Sequence, residues 1–195
     1  LRWKAGLGVL LLASVSYTVL AVSAKMRDRI TPVSPHTLDG MDYMRYAEYH
    51  DQGKRIRLAP DYGAIRWLQE NAIGSPVIVE AHTSEYKYGN RYTVNTGLPG
   101  VVGWSWHQRQ QRAVTPSTLV TDRVDAISRF YRGTDINTAL AFLNKHNVRY
   151  VVIGEYERAY YTGEGLSKFD EMVNSGLLLD VYDYDGVRIL EVPVP

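Results

Sequence analysis

Twenty consecutive uncharged residues near the start of the chain constrain its fold more than any other feature. The segment from Ala5 to Ala24 reads AGLGVLLLASVSYTVLAVSA. At about 1.5 Å per residue, a helix of this length crosses the roughly 30 Å hydrocarbon core of a bilayer. Because lipid offers no partner to backbone polar groups, such a segment spans the membrane as a helix. We therefore predict a membrane-spanning helix and its flanks within residues 1–29.

Two other interpretations of this segment deserve comparison. The run Val22-Ser23-Ala24 ahead of Lys25 is typical of a signal-peptide cleavage site, and apolar helices also occur in soluble cores. Twenty uncharged residues exceed what a buried core helix needs, so we favour a retained, single-pass membrane helix. Basic residues flank the segment on both sides, and their small excess after it does not determine the orientation.

Composition narrows the possible partners. The chain has 195 residues and a net charge of +1, from 22 basic and 21 acidic residues. Because the basic residues are scattered rather than clustered, we predict no nucleic-acid partner. The absence of cysteine excludes disulfides and thiolate metal sites. The chain has fifteen tyrosines and only three phenylalanines. Because tyrosine combines an apolar ring with a polar hydroxyl, it suits solvated surfaces, interfaces and sugar-like ligands. The simpler alternative is that these tyrosines only fill the core.

Apolar periodicity indicates an α/β domain after the membrane helix. We divide the chain into residues 1–29, a connector at 30–60 rich in Pro and Gly, and one α/β domain at 61–195. The predicted elements are a helix at 61–72 capped by Asp61, a strand at 76–81, helices at 121–132 and 136–146, a strand at 148–154, a helix at 166–175, and a hairpin turning at Asp185-Gly186. This order predicts a mixed sheet, with two parallel strands and the hairpin as an antiparallel edge.

Residues 82–112 interrupt this pattern. Glycine, proline, polar and aromatic residues alternate there without helical or strand periodicity, and we predict no regular element. A loop of this length is uncommon in a compact domain and is often functional.

Familiar catalytic motifs are missing from the sequence. It has no GxxxxGK[ST], no GxSxG and no HExxH. Glu80, His82, Glu85 and His107 could bind a metal if they came together, but their spacing matches no known site. We therefore predict no metal, no cofactor and no catalytic residue.

A binding surface at the ends of the two strands is the stronger hypothesis, because ligands of α/β sheets bind outside the carboxyl ends of the strands. Aromatic rings beside arginine forks suit carbohydrates or lipid-phosphate head groups. The alternative is that the same residues attach the long loop to its own domain. The candidate ligand or interface residues are Glu80, His82, Tyr86, Tyr88, Arg91, Trp104, His107, Arg109, Arg112, Glu157, Arg158 and Tyr161.

Three stretches between residues 61 and 169 resemble the YYY family of multi-spanning membrane proteins. They are AIRWLQENAIGSPVIVEA, YGNRYTVNTGLPGVVGWSWHQRQQR and DINTALAFLNKHNVRYVVIGEYERAYYTGEGLSKF. The combination of GLP, GW, H and R, VGxxER and YY is specific, although each piece alone is weak. The matching positions are Gly97, Leu98, Pro99, Gly103, Trp104, His107, Arg112, Glu157, Arg158 and Tyr161.

This resemblance implies a relation to the GT-C glycosyltransferases, which use a lipid-linked sugar. It implies an extracytoplasmic domain that follows the last membrane helix, while the presumed catalytic carboxylates lie in an early membrane region that this chain lacks. The resemblance therefore implies a domain that is not catalytic alone and that binds or positions a lipid-linked sugar or an acceptor. Its partners would be membrane lipid and a multi-spanning protein or the remainder of the same protein. The alternative is a structural accessory subunit of a larger membrane complex.

Overall fold

The computed structural model describes residues 2–29, 35–116, 118–161 and 163–193. Its first element, helix α1 (Arg2–Arg29), has 28 residues, none of them buried. This helix is long and apolar enough to cross a membrane, and by the same measures it would also pass for a signal sequence. The predicted N-terminal apolar helix is thus present and extends beyond the uncharged segment at both ends.

A mixed four-stranded sheet organises the rest of the chain. Its strands are β3 (Val77–Val79), β4 (Val148–Ile153), β5 (Leu179–Tyr184) and β6 (Val187–Glu191), in the order β3-β4-β6-β5. Strands β3 and β4 are parallel, and β6 pairs antiparallel with both β4 and β5. The predicted α/β class, the parallel pair and the antiparallel edge hairpin are confirmed.

The turn of the C-terminal hairpin follows from its two residues. Asp185 and Gly186 both have positive φ, 48° and 79°. A two-residue hairpin turn of the kind that fits the twist of antiparallel strands requires positive φ at both positions, which Asp-Gly tolerates. Local sequence therefore determines this part of the sheet.

Helices cover both faces of the sheet. The remaining helices are α2 (Ala59–Asn71), α3 (Arg91–Thr96), α4 (Ser105–Gln111), α5 (Thr118–Arg132), α6 (Ile136–Lys145), α7 (Glu155–Tyr160) and α8 (Lys168–Asn174). On one face, Val151 and Ile153 of β4 join a core built with α5, α6 and α8. On the other face, Tyr150 and Val152 pack with α2. Alternate residues of one strand thus supply two cores, as the pleat requires.

Two predicted helix starts have different outcomes. The Asp135 carboxylate caps α6 by accepting a hydrogen bond of 2.8 Å from the Thr138 amide, as predicted. The predicted cap at Asp61 is wrong, because α2 begins earlier, at Ala59, and Asp61 is a buried residue of its first turn. Proline at the second position of α2 already suits a helix start, so no side-chain cap is needed.

The segment predicted as a connector contains folded structure. Residues Asp42–Arg45 form a 3₁₀ helix, and strands β1 (Glu48–Asp51) and β2 (Lys54–Arg57) form an antiparallel hairpin. Met44 and Ile56 are buried in the two cores. In a strand of four residues, the alternation of apolar and polar side chains is too short to be distinguished from loop sequence. The two strands are recognised only from their packing in the structure. The division at residue 60 stays a prediction.

Asp51, at the end of β1, attaches this hairpin to the domain. Its Oδ2 accepts hydrogen bonds from the hydroxyls of Tyr156 (2.9 Å) and Tyr160 (2.6 Å), and its Oδ1 accepts one from Lys87 Nζ (2.9 Å). Burial acts to raise the pKa of Asp51, but these hydrogen bonds outweigh it and lower the pKa from 3.8 to about 2.

We expect the ionised Asp51 to stabilise the domain by about 2 kcal/mol, since one pKa unit corresponds to about 1.4 kcal/mol. This contribution is complete above the unfolded pKa and is lost as the pH falls from about 4 to about 2. Asp51→Asn should lower the free energy of unfolding by this amount near pH 7 and by little near pH 2, as measured by urea unfolding. An equal loss at both pH values would show that the charge is not responsible.

Candidate functional site

The long loop at residues 82–112 contains two short helices, so the prediction of no regular element there is wrong. Helix α3 lies between Asn90 and Gly97, both of which have a left-handed backbone conformation. Between α3 and α4, Gly100 forms an isolated parallel bridge with Ile78 of β3. Helices of six or seven residues are too short for periodicity to identify, and they are stable here because of tertiary contacts.

A buried ionic cluster fixes this loop to the sheet. We define the cluster as Asp61, Glu80, Arg91 and Glu157. The Arg91 guanidinium donates two hydrogen bonds to Glu157, of 3.1 and 2.9 Å, and its Nε donates one of 2.7 Å to Asp61. Glu80 lies 3.8 Å from Arg91. All four side chains are at most 3% exposed, so they are closed to a ligand in this conformation.

The two glutamates of the cluster also bind backbone amides. Glu80 accepts hydrogen bonds of 2.9 Å from the amides of Tyr92 and Thr93, at the start of α3. Glu157 accepts from the amides of Ala81 and Gly154, just beyond β3 and β4. These contacts join the two strand ends to the loop, as expected if these residues attach the long loop to its own domain.

One cation faces three carboxylates in this cluster. Burial raises the pKa of Glu80 to about 7, and it also raises the pKa of Asp61. Burial acts on Glu157 in the same direction, but Arg91 and the two amides outweigh it and hold that pKa below its ordinary value. Glu157 is therefore the carboxylate that stays ionised with Arg91, and the other two limit the negative charge by taking up protons more readily.

Aromatic side chains gather on the outer side of the loop. We define the aromatic cluster as Tyr86, Trp104, Trp106 and His107. The ring centre of Trp104 lies 5.3 Å from that of Tyr86 and 5.4 Å from that of His107, and the Tyr86 hydroxyl lies 3.1 Å from His107 Nε2. Tyr86 and Trp106 are 75% and 51% exposed. Glu85 binds Ser105 Oγ and the Trp106 amide and so anchors the start of α4.

Beside the aromatic cluster lies a groove of about 390 Å³, which we call the loop groove. Asn90, Trp104, His107 and Gln108 are among its lining residues. Two buried donors of these residues, Asn90 Nδ2 and Trp104 Nε1, have no hydrogen-bond partner in the described part of the chain. Asn90 is 4% exposed. Since an unmade buried hydrogen bond costs about 1–3 kcal/mol, these two donors of wall residues are the candidates for hydrogen bonds to acceptor atoms of a ligand in the groove.

His82, Tyr88 and Arg109 are not among the lining residues of this groove. The His82 amide donates a hydrogen bond of 3.1 Å to the Tyr161 hydroxyl, and burial lowers the pKa of His82. Tyr88 packs its ring against Tyr49, with ring centres 5.6 Å apart. Arg109 bonds to the Ser105 carbonyl oxygen within α4.

Arg158 and Tyr161 line a separate depression of about 470 Å³ at the end of β4. One donor of the Arg158 guanidinium bonds to the Gly186 carbonyl oxygen, at 2.7 Å. Within the described ranges, no group of three His, Asp or Glu residues is placed to hold a metal ion.

Sequence reasoning missed two residues of the site. Asn90 is not among the predicted residues, although Gly89-Asn90 is a turn signal and asparagine is enriched in the left-handed conformation that it adopts here. Asp61 was assigned to a helix cap rather than to Arg91, because the sequence carries no signal for a contact between residues 30 positions apart.

Comparison with known proteins adds a distant structural likeness. No family model matches the chain, and no curated protein matches it. Among solved structures, it is similar to the C-terminal globular domain of an oligosaccharyltransferase from Archaeoglobus fulgidus, with a TM-score of 0.43 and 16% identity. The likeness covers 75% of this chain and 100% of that domain. At these values it carries no argument about function, and the resemblance to the YYY family stays a prediction.

Proposed function

We propose that the chain is a membrane-anchored, extracytoplasmic domain that binds the sugar of a lipid-linked sugar or acceptor in the loop groove. It has no catalytic activity alone and acts beside a multi-spanning membrane protein, or as the end of one. Helix α1 supports the anchor, because it is apolar and none of its residues is buried. The extracytoplasmic placement and the sugar class rest on the resemblance to the YYY family.

The observation that carries this proposal is the pair of unpartnered buried donors, Asn90 Nδ2 and Trp104 Nε1, in the loop groove. Both are neutral N–H donors, so they suit the hydroxyl, ring and carbonyl oxygens of a neutral ligand. The rings of Trp104 and His107 line the same groove and offer flat faces to the apolar side of a sugar ring. The volume of about 390 Å³ lies within the usual range for small-molecule sites.

Binding of neutral sugars to the full chain tests the proposal. Lauryldimethylamine oxide micelles are suitable, because this detergent contains neither sugar nor phosphate. The chain has four tryptophans, each with one indole N–H signal in a nuclear magnetic resonance spectrum. The signal of Trp104 should shift when the protein is titrated with a panel of neutral mono- and disaccharides. Asn90→Gly, which keeps the left-handed backbone and removes the amide, should weaken binding about tenfold, as expected for one lost hydrogen bond.

Asn147→Gly is the matched control, because Asn147 also has positive φ, is exposed and lies outside the loop groove. It should leave sugar binding unchanged. If no sugar of the panel shifts the Trp104 signal, or if both glycine variants weaken binding equally, the loop groove is not a sugar site.

A structural accessory subunit is the second candidate, and exposed apolar side chains on the loop and just after it favour this function. Val94, Trp106 and Val114 are 67%, 51% and 99% exposed. Aromatic and arginine residues are common in protein interfaces. The double variant Trp104→Ala/Arg112→Ala separates the two functions. Loss of a co-purifying multi-spanning protein with sugar binding retained would favour the subunit, and the reverse would favour the sugar site.

A further inference from the structure

A second, smaller depression lies next to the loop groove, between α4 and α5. This depression has a volume of about 100 Å³ and shares Gly103 and Gln108 with the loop groove. Arg112 and Arg123 are among its lining residues. The two depressions are therefore neighbours, with tryptophan, histidine and asparagine lining one and two arginines lining the other.

Both arginines have donors to spare. The side chain of Arg112 makes no hydrogen bond or ion pair within the described residues, and it extends from the end of α4. Arg123 donates one hydrogen bond of 3.0 Å to the Val101 carbonyl oxygen, which holds its guanidinium at the wall of the depression. Over the same residues, no carboxylate lies within ion-pair distance of either side chain. The two positive charges are thus uncompensated.

The surroundings of Arg123 are basic as well. Burial lowers the pKa of His146, and the charges of Arg123 and Lys145 lower it further. Leu119 and Val120 line the small depression with apolar surface beside the two arginines. A guanidinium fork matches a phosphate group in geometry, and two forks can grip its oxygens from both sides.

We propose that Arg112 and Arg123 bind the phosphate of a sugar phosphate or sugar-phosphate ester whose sugar lies in the loop groove. This inference rests on the proposed function, because the same ligand occupies both neighbouring depressions. The neutral donors of Asn90 and Trp104 face the sugar, and the arginines face the charge. Arg123, which the sequence analysis did not select, becomes a binding residue of the site.

Three probes test the two depressions separately, with the full chain in the same micelles. Inorganic pyrophosphate tests the arginines, glucose tests the groove, and glucose 1-phosphate tests their combination. We expect glucose 1-phosphate to bind at least about tenfold more tightly than glucose. Arg112→Gln and Arg123→Gln should each weaken glucose 1-phosphate and pyrophosphate binding by about fivefold or more, and the affinity for glucose should not change.

Arg109→Gln is the matched control, since Arg109 belongs to the same helix and lines neither depression. It should leave all three affinities unchanged. Near-ultraviolet circular dichroism checks that the exposed-arginine variants keep the fold. Equal effects of Arg109→Gln and Arg112→Gln would overturn the phosphate site, because they would indicate general charge attraction.

The remaining outcomes separate this inference from the proposed function. Pyrophosphate binding that depends on Arg112 and Arg123, without any sugar binding, supports the phosphate site and overturns the sugar groove. Sugar binding combined with an affinity for glucose 1-phosphate that does not depend on the arginines supports the sugar groove and overturns the phosphate site. Binding of dihexanoyl phosphatidylglycerol in place of glucose 1-phosphate would assign the arginines to bilayer lipid and overturn the inference.

Discussion

Replacing Arg91 with methionine is expected to lower the free energy of unfolding by about 3–5 kcal/mol, because it leaves buried carboxylates without their cation. Methionine fills most of the volume of the arginine stem, so the loss reports charge and hydrogen bonding more than packing. Asp61 and Glu157 lose hydrogen bonds of 2.7 to 3.1 Å, and all three carboxylates of the buried ionic cluster repel one another.

The pH dependence of this variant identifies the cause. Without Arg91, burial and mutual repulsion raise the pKa values of Asp61 and Glu80 further, and the main cause that lowers the pKa of Glu157 is lost, so the folded state binds more protons. Its stability should therefore fall as the pH rises from about 5 to about 8, more steeply than that of the original chain. Urea unfolding followed by near-ultraviolet circular dichroism measures both quantities.

Arg109→Met provides the comparison, because Arg109 is a surface arginine of the same loop that touches none of the buried carboxylates. Its effect should stay within about 0.5 kcal/mol. A small effect of Arg91→Met, or a large one that does not change with pH, would contradict the role assigned to the buried ionic cluster.

The second large effect is expected for Glu157→Gln, which should lower the free energy of unfolding by about 2–4 kcal/mol. Each Glu157 oxygen accepts from one backbone amide and one Arg91 nitrogen. In glutamine one oxygen becomes an NH₂ group, so in either orientation two donors face a donor. The substitution also removes one of three negative charges, but the loss of charge-assisted hydrogen bonds has the greater effect on stability.

Urea unfolding of Glu157→Gln, Arg91→Met and the double variant measures how far the two residues act together. Because they share two hydrogen bonds, the double variant should lose clearly less stability than the sum of the single losses. Asn174→Ala, at the end of α8 and exposed, is a control for an unrelated polar position. Additive losses from Arg91 and Glu157 would show that they stabilise the fold independently.

Local sequence predicted most of the regular elements correctly. The apolar run of α1, the periodicity of α2, α5, α6 and α8, the β-branched strand β4 and the Asp185-Gly186 turn each depend on residues that are close in the chain. Short-range patterns of this kind follow from backbone geometry and from burial on one face, so they can be read without the fold. The parallel pairing of β3 and β4 then followed from the order of helices and strands.

The sequence does not predict helices α3 and α4 or the hairpin of β1 and β2, because each is too short to be stable without its tertiary contacts. The sequence pointed to the polar residues after the two strands, but it did not tell which are buried and which face solvent.

The sequence by itself thus determined an apolar N-terminal helix, an α/β class and a long loop rich in aromatic and basic residues. Only the tertiary structure decided that Arg91 lies buried against Glu157, 66 positions away, while Asn90 and Trp104 line one groove and Arg123 lines the depression next to it. The physical reason is that the free energy of a charge or an unpaired donor depends on its burial and its partners. Those are set by contacts between distant segments, which local periodicity does not encode.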